Sequence, residues 1–289
     1  MSQSGAEQPE RPAVLSEIIA HKEREVEALK AARSLAALEA EVLQAEAPRN
    51  FFAAVARPEA DAENLPTAVI AEVKRRSPSA GLMRPEYEGE AFDPALIARR
   101  YADNGASAIS CLTDERFFGG KLEYIQRIKD AVGLPVLRKD FLIDPIQLWE
   151  SRAAGADGVL LIAECLTESR LVDMLILAQQ LQMTVLLEVH SMESLLRVRP
   201  HVGFPHPTYC LLGINNRDLS TMTTDVAHTL RLVDLVDDPG VLVSESGISE
   251  PGHIERLREV GVRIVLVGER LMKQPDPGAA LAELLGKPG

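Results

Sequence analysis

Groups able to move protons recur at the ends of short apolar runs. Glu72 and Lys74 are two residues apart in Ala71-Glu-Val-Lys74, so strand alternation sets both on one face, the inward one. Opposite charges so placed either pair with each other, as in a structural ion pair, or bind something. In Leu137-Arg-Lys-Asp-Phe141, Lys139 precedes Phe141 by two, which points ammonium and ring to the same side. A lysine beside other cations or an apolar ring is expected to lose basicity, which suits proton donation or Schiff-base chemistry. Leu186-Leu-Glu-Val-His190 offers Glu188 as a carboxylate able to act as a base. His190 shares its parity; a single histidine without a second ligand is read as a supporting or loop residue. Later runs carry Asn215 and Arg217 in Gly213-Ile-Asn-Asn-Arg-Asp218, and Glu245, Ser246 and Gly247 in Ser244-Glu-Ser-Gly-Ile248. Gly268 and Glu269 follow in Val267-Gly-Glu-Arg-Leu-Met272. Glycines just ahead of helix starts make an anion cradle of backbone N–H groups, so the implied ligand is a phosphorylated small molecule.

The elements that must position these groups alternate between Val/Ile/Leu-rich runs and longer amphipathic stretches. The runs are 68–74, 106–113, 135–141, 158–164, 184–190, 209–216, 241–247 and 263–269. Eight such βα units close a (β/α)8 TIM barrel, whose strand ends converge on one site. A doubly wound open sheet would share the alternation, but neither a phosphate loop nor a Gly-x-Gly-x-x-Gly turn follows the first strand. Helices are expected at 94–104, 122–131, 145–154, 171–181, 226–236 and 251–260, with Gly105, Gly133, Gly155 and Gly261 as C-caps. Ahead of the barrel, Leu15, Ile18, Ile19, Val26, Leu29, Leu35, Leu38 and Val42 recur at approximate helical spacing until Pro48-Arg-Asn-Phe-Phe52 interrupts them. This extension is either a packing helix or a cap in which Arg49, Phe51 and Phe52 close over the ligand. The domain reading is a disordered tail at 1–13, a helical extension at 14–67 and the catalytic barrel at 68–289.

Composition excludes several other classes. The 289 residues are 46% hydrophobic and 26% charged, enough for a sizeable core. With 31 Lys+Arg against 43 Asp+Glu the net charge is −12, which disfavours a nucleic-acid binder but leaves local cations free to hold a small anion. No stretch reaches the ~20 apolar residues of a membrane span, and the first residues lack a signal-peptide core. Cys111, Cys165 and Cys210 show no metal-ligand spacing and are expected as buried, reduced thiols. The expected protein is cytoplasmic, a monomer or weak homo-oligomer.

Taken together, Glu72-x-Lys74-x-x-Ser77-Pro78-Ser79 and the five later motifs resemble indole-3-glycerol phosphate synthases of tryptophan biosynthesis, from about Val14 to Leu285. The resemblance implies closure of the indole ring of 1-(2-carboxyphenylamino)-1-deoxyribulose 5-phosphate, a carboxy-lyase reaction that releases carbon dioxide and water without metal or organic cofactor. It implies that Lys139 is the general acid, that Lys74 holds the anthranilate carboxylate and serves later proton transfers, and that Glu188 is the base of dehydration. Glu72 would orient Lys74 or join the relay. Asn215 and Arg217 would position substrate and carboxylates, while Glu245 and Ser246 complete the sugar site. Phe118, in Asp114-Glu-Arg-Phe-Phe-Gly-Gly120, and Phe141 resemble the walls around the aromatic ring, Ser77 a further substrate contact, and Gly247, Gly268 and Glu269 the phosphate site. Two other readings fit a lysine near a phosphate site: a Schiff-base aldolase acting on a sugar phosphate, and a non-catalytic phosphate-binding barrel.

Overall fold

The computed structural model describes residues 12–57, 65–89 and 92–287. Eight parallel strands, Ala68–Val73 (β1), Ala108–Leu112 (β2), Val136–Lys139 (β3), Gly158–Ile162 (β4), Thr184–Val189 (β5), Cys210–Asn215 (β6), Leu242–Glu245 (β7) and Ile264–Val267 (β8), pair each with the next. β8 pairs back onto β1 with Ala68 opposite Ile264, so the sheet has no edge. This is the expected TIM barrel, and all eight runs became its strands. Nearly every strand residue is buried because each strand is covered on both faces, by barrel interior and by helices.

The covering helices start where local chemistry starts them. Those following β1 to β4 are Pro94–Asp103 (α4), Tyr124–Ala131 (α5), Pro145–Ala153 (α6) and Glu168–Gln180 (α7). After β5 to β7 come Met192–Val198 (α8), Ala227–Leu232 (α9) and Pro251–Glu259 (α10), and after β8 come Glu269–Met272 (α11) and Pro277–Leu284 (α12). Asp93, Asp144, Thr167, Ser191 and Asp276 accept backbone N–H bonds as N-caps, and Pro94, Pro145, Pro251 and Pro277 open their helices. Gly105, Gly155 and Gly261 take the left-handed conformation expected after a helix. Gly133 does not: the last turn of α5 ends on extended Val132, so no left-handed cap is needed.

Ahead of the barrel lie three helices, Ala13–Ala32 (α1), Leu35–Gln44 (α2) and Phe51–Val55 (α3). The single stripe expected up to residue 47 is broken at Arg33–Ser34, because extended Ser34 caps α2 through its hydroxyl and a new helical phase begins. Leu35 is accordingly exposed while Leu38 is buried. The tail reading for 1–13 lies outside the described residues up to residue 11, and Ala13 already opens α1.

The extension grips both ends of the barrel. Leu15, Ile18, Ile19, Lys22 and Val26 are the buried face of α1 and lie toward the C-terminal strand ends. The segment holding Arg49, Phe51 and Phe52 lies at the opposite end, which corrects the idea that it closes over the ligand. Arg49 donates to the carbonyls of Lys129, Val132 and Leu134 ahead of β3, and its own N–H donates to Asp157 Oδ1 ahead of β4. Fully buried Phe51 packs against Gly158, and the Phe52 N–H donates to Thr184 Oγ1 at the start of β5. These are N-terminal strand ends. Their exposed main-chain carbonyls attract a guanidinium as well as any ligand would, and their apolar interior needs a plug.

Candidate active site

At the C-terminal ends of the strands opens a cavity of about 420 Å³, the size of a pocket for a small phosphorylated ligand. Val14, Leu15 and Ile18 of α1 form part of its wall, and Leu112, Leu160, Ile162 and Leu266 supply apolar lining from the strands. Lys74, Lys139, Arg217, Arg270 and Lys273 all line it, so cations concentrate here despite the acidic chain. The structure brings together Glu72, Lys74, Ser77, Phe118, Lys139, Phe141, Glu188, Asn215, Arg217, Ser246, Gly247, Gly268 and Glu269 in this one cavity. Of the expected site residues Glu245 alone is set back, fully buried behind Lys139.

Lys139 is wedged between two carboxylates, 2.8 Å from Glu188 Oε2 and 2.7 Å from Glu245 Oε2. Burial opposes its charge, but Glu188, Glu245 and Glu72 outweigh that and raise its pKa. The expectation of a less basic lysine is therefore overturned: its neighbours are anions, not cations, and it stays an ammonium. One ammonium cannot neutralise two buried carboxylates. Burial alone would raise Glu188, yet Lys139 and His190 hold it below the usual carboxylate range. Glu245, desolvated and repelled by Glu188, is pushed upward instead. Such a pair, one ready to accept a proton and one ready to keep it, is the pattern of acid–base sites.

Small residues make room for these carboxylates. A Cβ on Gly213, in β6, would lie 2.1 Å from Glu245 Oε1, and one on Gly268 would lie 2.2 Å from Glu72 Oε1. Glu72 Oε1 in turn holds Lys74 Nζ at 2.5 Å. At the other side of the mouth Arg217 donates to Glu269 Oε2 at 2.9 Å, and Lys273 reaches Glu269 Oε1 at 2.6 Å. The Glu269 carboxylate is thus occupied by two cations, and what its position offers an anion is backbone. Ser246 and Gly247 both take positive φ after β7. Buried Asn216 holds that turn through Ser244 Oγ and the Ser246 carbonyl, each at 3.0 Å.

The aromatic walls are set by a salt-bridge cluster under α1. Buried Lys22 lies 2.9 Å from both Asp114 Oδ2 and Asp140 Oδ1. Asp114 Oδ1 accepts the N–H groups of Phe117 and Phe118, and Asp140 Oδ1 accepts that of Phe141. The Phe118 and Phe141 rings face each other across 6.0 Å. Sequence reasoning missed Lys22, Asp140 and Asn216. A lysine on the apolar stripe of a helix is a legible anomaly, but its partners just past β2 and β3 are not.

A closed barrel whose lysines and carboxylates converge at the C-terminal strand ends defines a (β/α)8-barrel protein with an acid–base site. The model of indole-3-glycerol phosphate synthases matches residues 15–284. Relatives bearing that name are 42% identical over 94% of this chain and 98% of theirs in Laribacter hongkongensis, and 43% identical over the same shares in Acidithiobacillus ferrooxidans. One in Rhodopirellula baltica is 47% identical over 75% of this chain and 80% of its own. The chain belongs to the indole-3-glycerol phosphate synthase family. Among solved structures, a 3-hexulose-6-phosphate synthase superposes with TM-score 0.58 at 16% identity, covering 76% of this chain and 98% of that one. The orotidine 5'-phosphate decarboxylase of Pyrococcus horikoshii gives 0.53 at 16% identity, over 75% and 97%. At those identities the likeness is one of fold. No helix among the described residues is long and apolar enough to cross a membrane.

Proposed function

We propose that this barrel performs the family's ring closure with Lys139 as general acid and Glu188 as base. The observation that carries the reading is Lys139, an ammonium inside a cavity, gripped by one carboxylate that is anionic and another that is pushed toward its acid form. The ring carbon bearing the carboxylate attacks the ribulose carbonyl while Lys139 gives that oxygen a proton. Loss of carbon dioxide restores the aromatic ring. The new hydroxyl then leaves as water, protonated by a lysine, as Glu188 takes the proton that frees the electrons of the indole double bond.

Lys74, aligned by Glu72, meets the anthranilate carboxylate and serves in later proton transfers. Asn215 lies beside Glu245 in the strand pairing, accepts the Arg217 N–H through its own side chain, and so ties the sugar site to the phosphate end. Phe118 and Phe141 enclose the aromatic ring, with Val14, Leu15 and Ile18 above them. Ser77 and Ser246 contact substrate, and the phosphate rests on the backbone at Gly247, Gly268 and Glu269 with Lys273 and Arg270 nearby.

A raised lysine pKa disfavours the Schiff-base alternative, which needs a neutral amine. The same reading takes the protein as a cytoplasmic enzyme, monomeric or weakly homo-oligomeric. The experiment is direct: purified protein is mixed with the carboxyphenylamino-deoxyribulose phosphate, and indole fluorescence is followed with no added metal or nucleotide. Fluorescence should rise at micromolar enzyme; a flat trace would overturn the reading.

A further inference from the structure

His190 follows β5 directly and reaches the cavity with a ring that has a carboxylate at each nitrogen. Its Nδ1 lies 3.3 Å from Glu164 Oε2 and its Nε2 lies 3.3 Å from Glu188 Oε1. Glu164, just after β4, also accepts the His190 main-chain N–H through Oε1 at 2.9 Å. One carboxylate thus holds both the backbone and the ring, which leaves the imidazole little freedom. To face two acceptors at once the ring must carry both protons. Burial works against that charge, and Glu164 and Glu188 overcome it, so the histidine is more basic than usual.

The two oxygens of Glu188 therefore have different partners: Lys139 at Oε2 and His190 at Oε1. A base crowded by an ammonium risks turning both oxygens onto it and losing the lone pair that accepts the substrate proton. The ring prevents that turn. The other titratable groups facing this pair are Glu245 from β7 and His228 from α9; His228 Nε2 lies 3.1 Å from the His190 carbonyl, and its own pKa is lowered by burial and by Arg231.

We propose that His190 is a positioning residue for Glu188: as an imidazolium clamped by Glu164, it fixes the carboxylate's rotation and keeps it anionic until substrate delivers a proton. This rests on the reading of Glu188 as the base. His190→Leu should lower kcat between about 10- and 10²-fold, the scale of a misplaced catalytic group, with KM within about twofold. Because a cation beside Glu188 is removed, the acidic limb of the kcat–pH profile should move to higher pH. His190→Gln, which can still donate toward Glu188 but carries no charge, should recover part of kcat while keeping the displaced limb. Glu164→Gln leaves Glu188 and its Lys139 contact in place and serves if His190→Leu does not fold; loss of the clamp on His190 should lower kcat there too, at unchanged KM.

Glu188→Gln is measured alongside. If it loses turnover while His190→Leu keeps both kcat and the acidic limb of the unsubstituted protein, His190 is packing and the inference fails by itself. If Glu188→Gln retains turnover, the base is elsewhere and the inference falls with the reading beneath it.

Discussion

Lys139 and its two carboxylates carry the sharpest expectations at the scale of single residues. Lys139→Met should cut kcat by roughly 10²–10⁴-fold, as for a lost general acid, with a smaller change in KM, read from the same fluorescence assay. Because the lysine remains an ammonium, borohydride added with substrate should leave no covalent adduct detectable by mass; an adduct would return the aldolase reading. Gly213→Ala tests the room made for Glu245. Its Cβ would meet Glu245 Oε1 at 2.1 Å and Leu186 Cδ1 at 3.1 Å, so the carboxylate must leave Lys139, and turnover should fall by about 10²-fold. Gly133→Ala is the control, since nothing lies within 4 Å and its φ is not left-handed; it should change stability by less than about 0.5 kcal/mol. Much of this site is legible in sequence because strand alternation is a rule with period two. Glu72, Lys74, Lys139, Glu188 and Asn215 all follow it. His190 obeys the same parity, yet its meaning depends on Glu164, just past the neighbouring strand, and strand register has no sequence signature. The basicity of Lys139 is not legible for a related reason: the sign of its neighbours is set by which strands face each other across the barrel.

Among elements, α1 is the one whose role is carried by a single charge. Lys22 is 2% exposed and holds Asp114 and Asp140, the residues that fix the main chain at Phe118 and Phe141. Lys22→Met leaves two buried carboxylates short of a cation and should destabilise by about 3–5 kcal/mol, seen in denaturant unfolding, with KM rising as the rings lose their setting. The same cluster predicts a pH response. Burial would raise Asp140, but Lys22 and Arg138 hold it below its unfolded value. Its contribution is therefore complete above the ordinary carboxylate range and is lost progressively as pH falls from there toward the depressed native value, so the melting temperature should drop below about pH 4. Asp140→Asn should flatten that drop; an unchanged slope would place the acid sensitivity elsewhere. The existence of α1 is plain from Leu15, Ile18, Ile19 and Val26, whereas its break from α2 is not, because a serine N-cap inside a helical-looking stretch changes phase without changing composition. α8 went unseen for a different reason: it is seven residues long, and exposed Met192 and Leu196 blur its apolar face.

For the whole molecule the extension is a strap from the ligand-binding end to the closed end. Which end Arg49 chooses is not written in its neighbours, since its three acceptors are main-chain carbonyls, and every barrel rim has those. Two truncations separate the duties. Removing residues 1–33 takes α1 from the mouth but keeps α2 and the Phe51 plug, so a folded barrel with raised KM is expected. Removing 1–56 also opens the base, and the protein should become insoluble or lose its cooperative melting. A soluble, sharply melting barrel from the longer deletion would demote the plug to surface packing. The strap also has a bearing on how the chain is made. Synthesis delivers α1 and the Phe51 segment before any strand exists, and their partners, Asp114, Asp140, Asp157, Gly158 and Thr184, all emerge before β6. On a ribosome adding ~5–20 residues each second, the half-made sheet therefore spends several seconds with its first five strands available and its closing strands unmade. During that interval the strap can cover the open arc at both rims, shielding apolar surface and unpaired strand edges from neighbouring nascent chains until β8 arrives to meet β1.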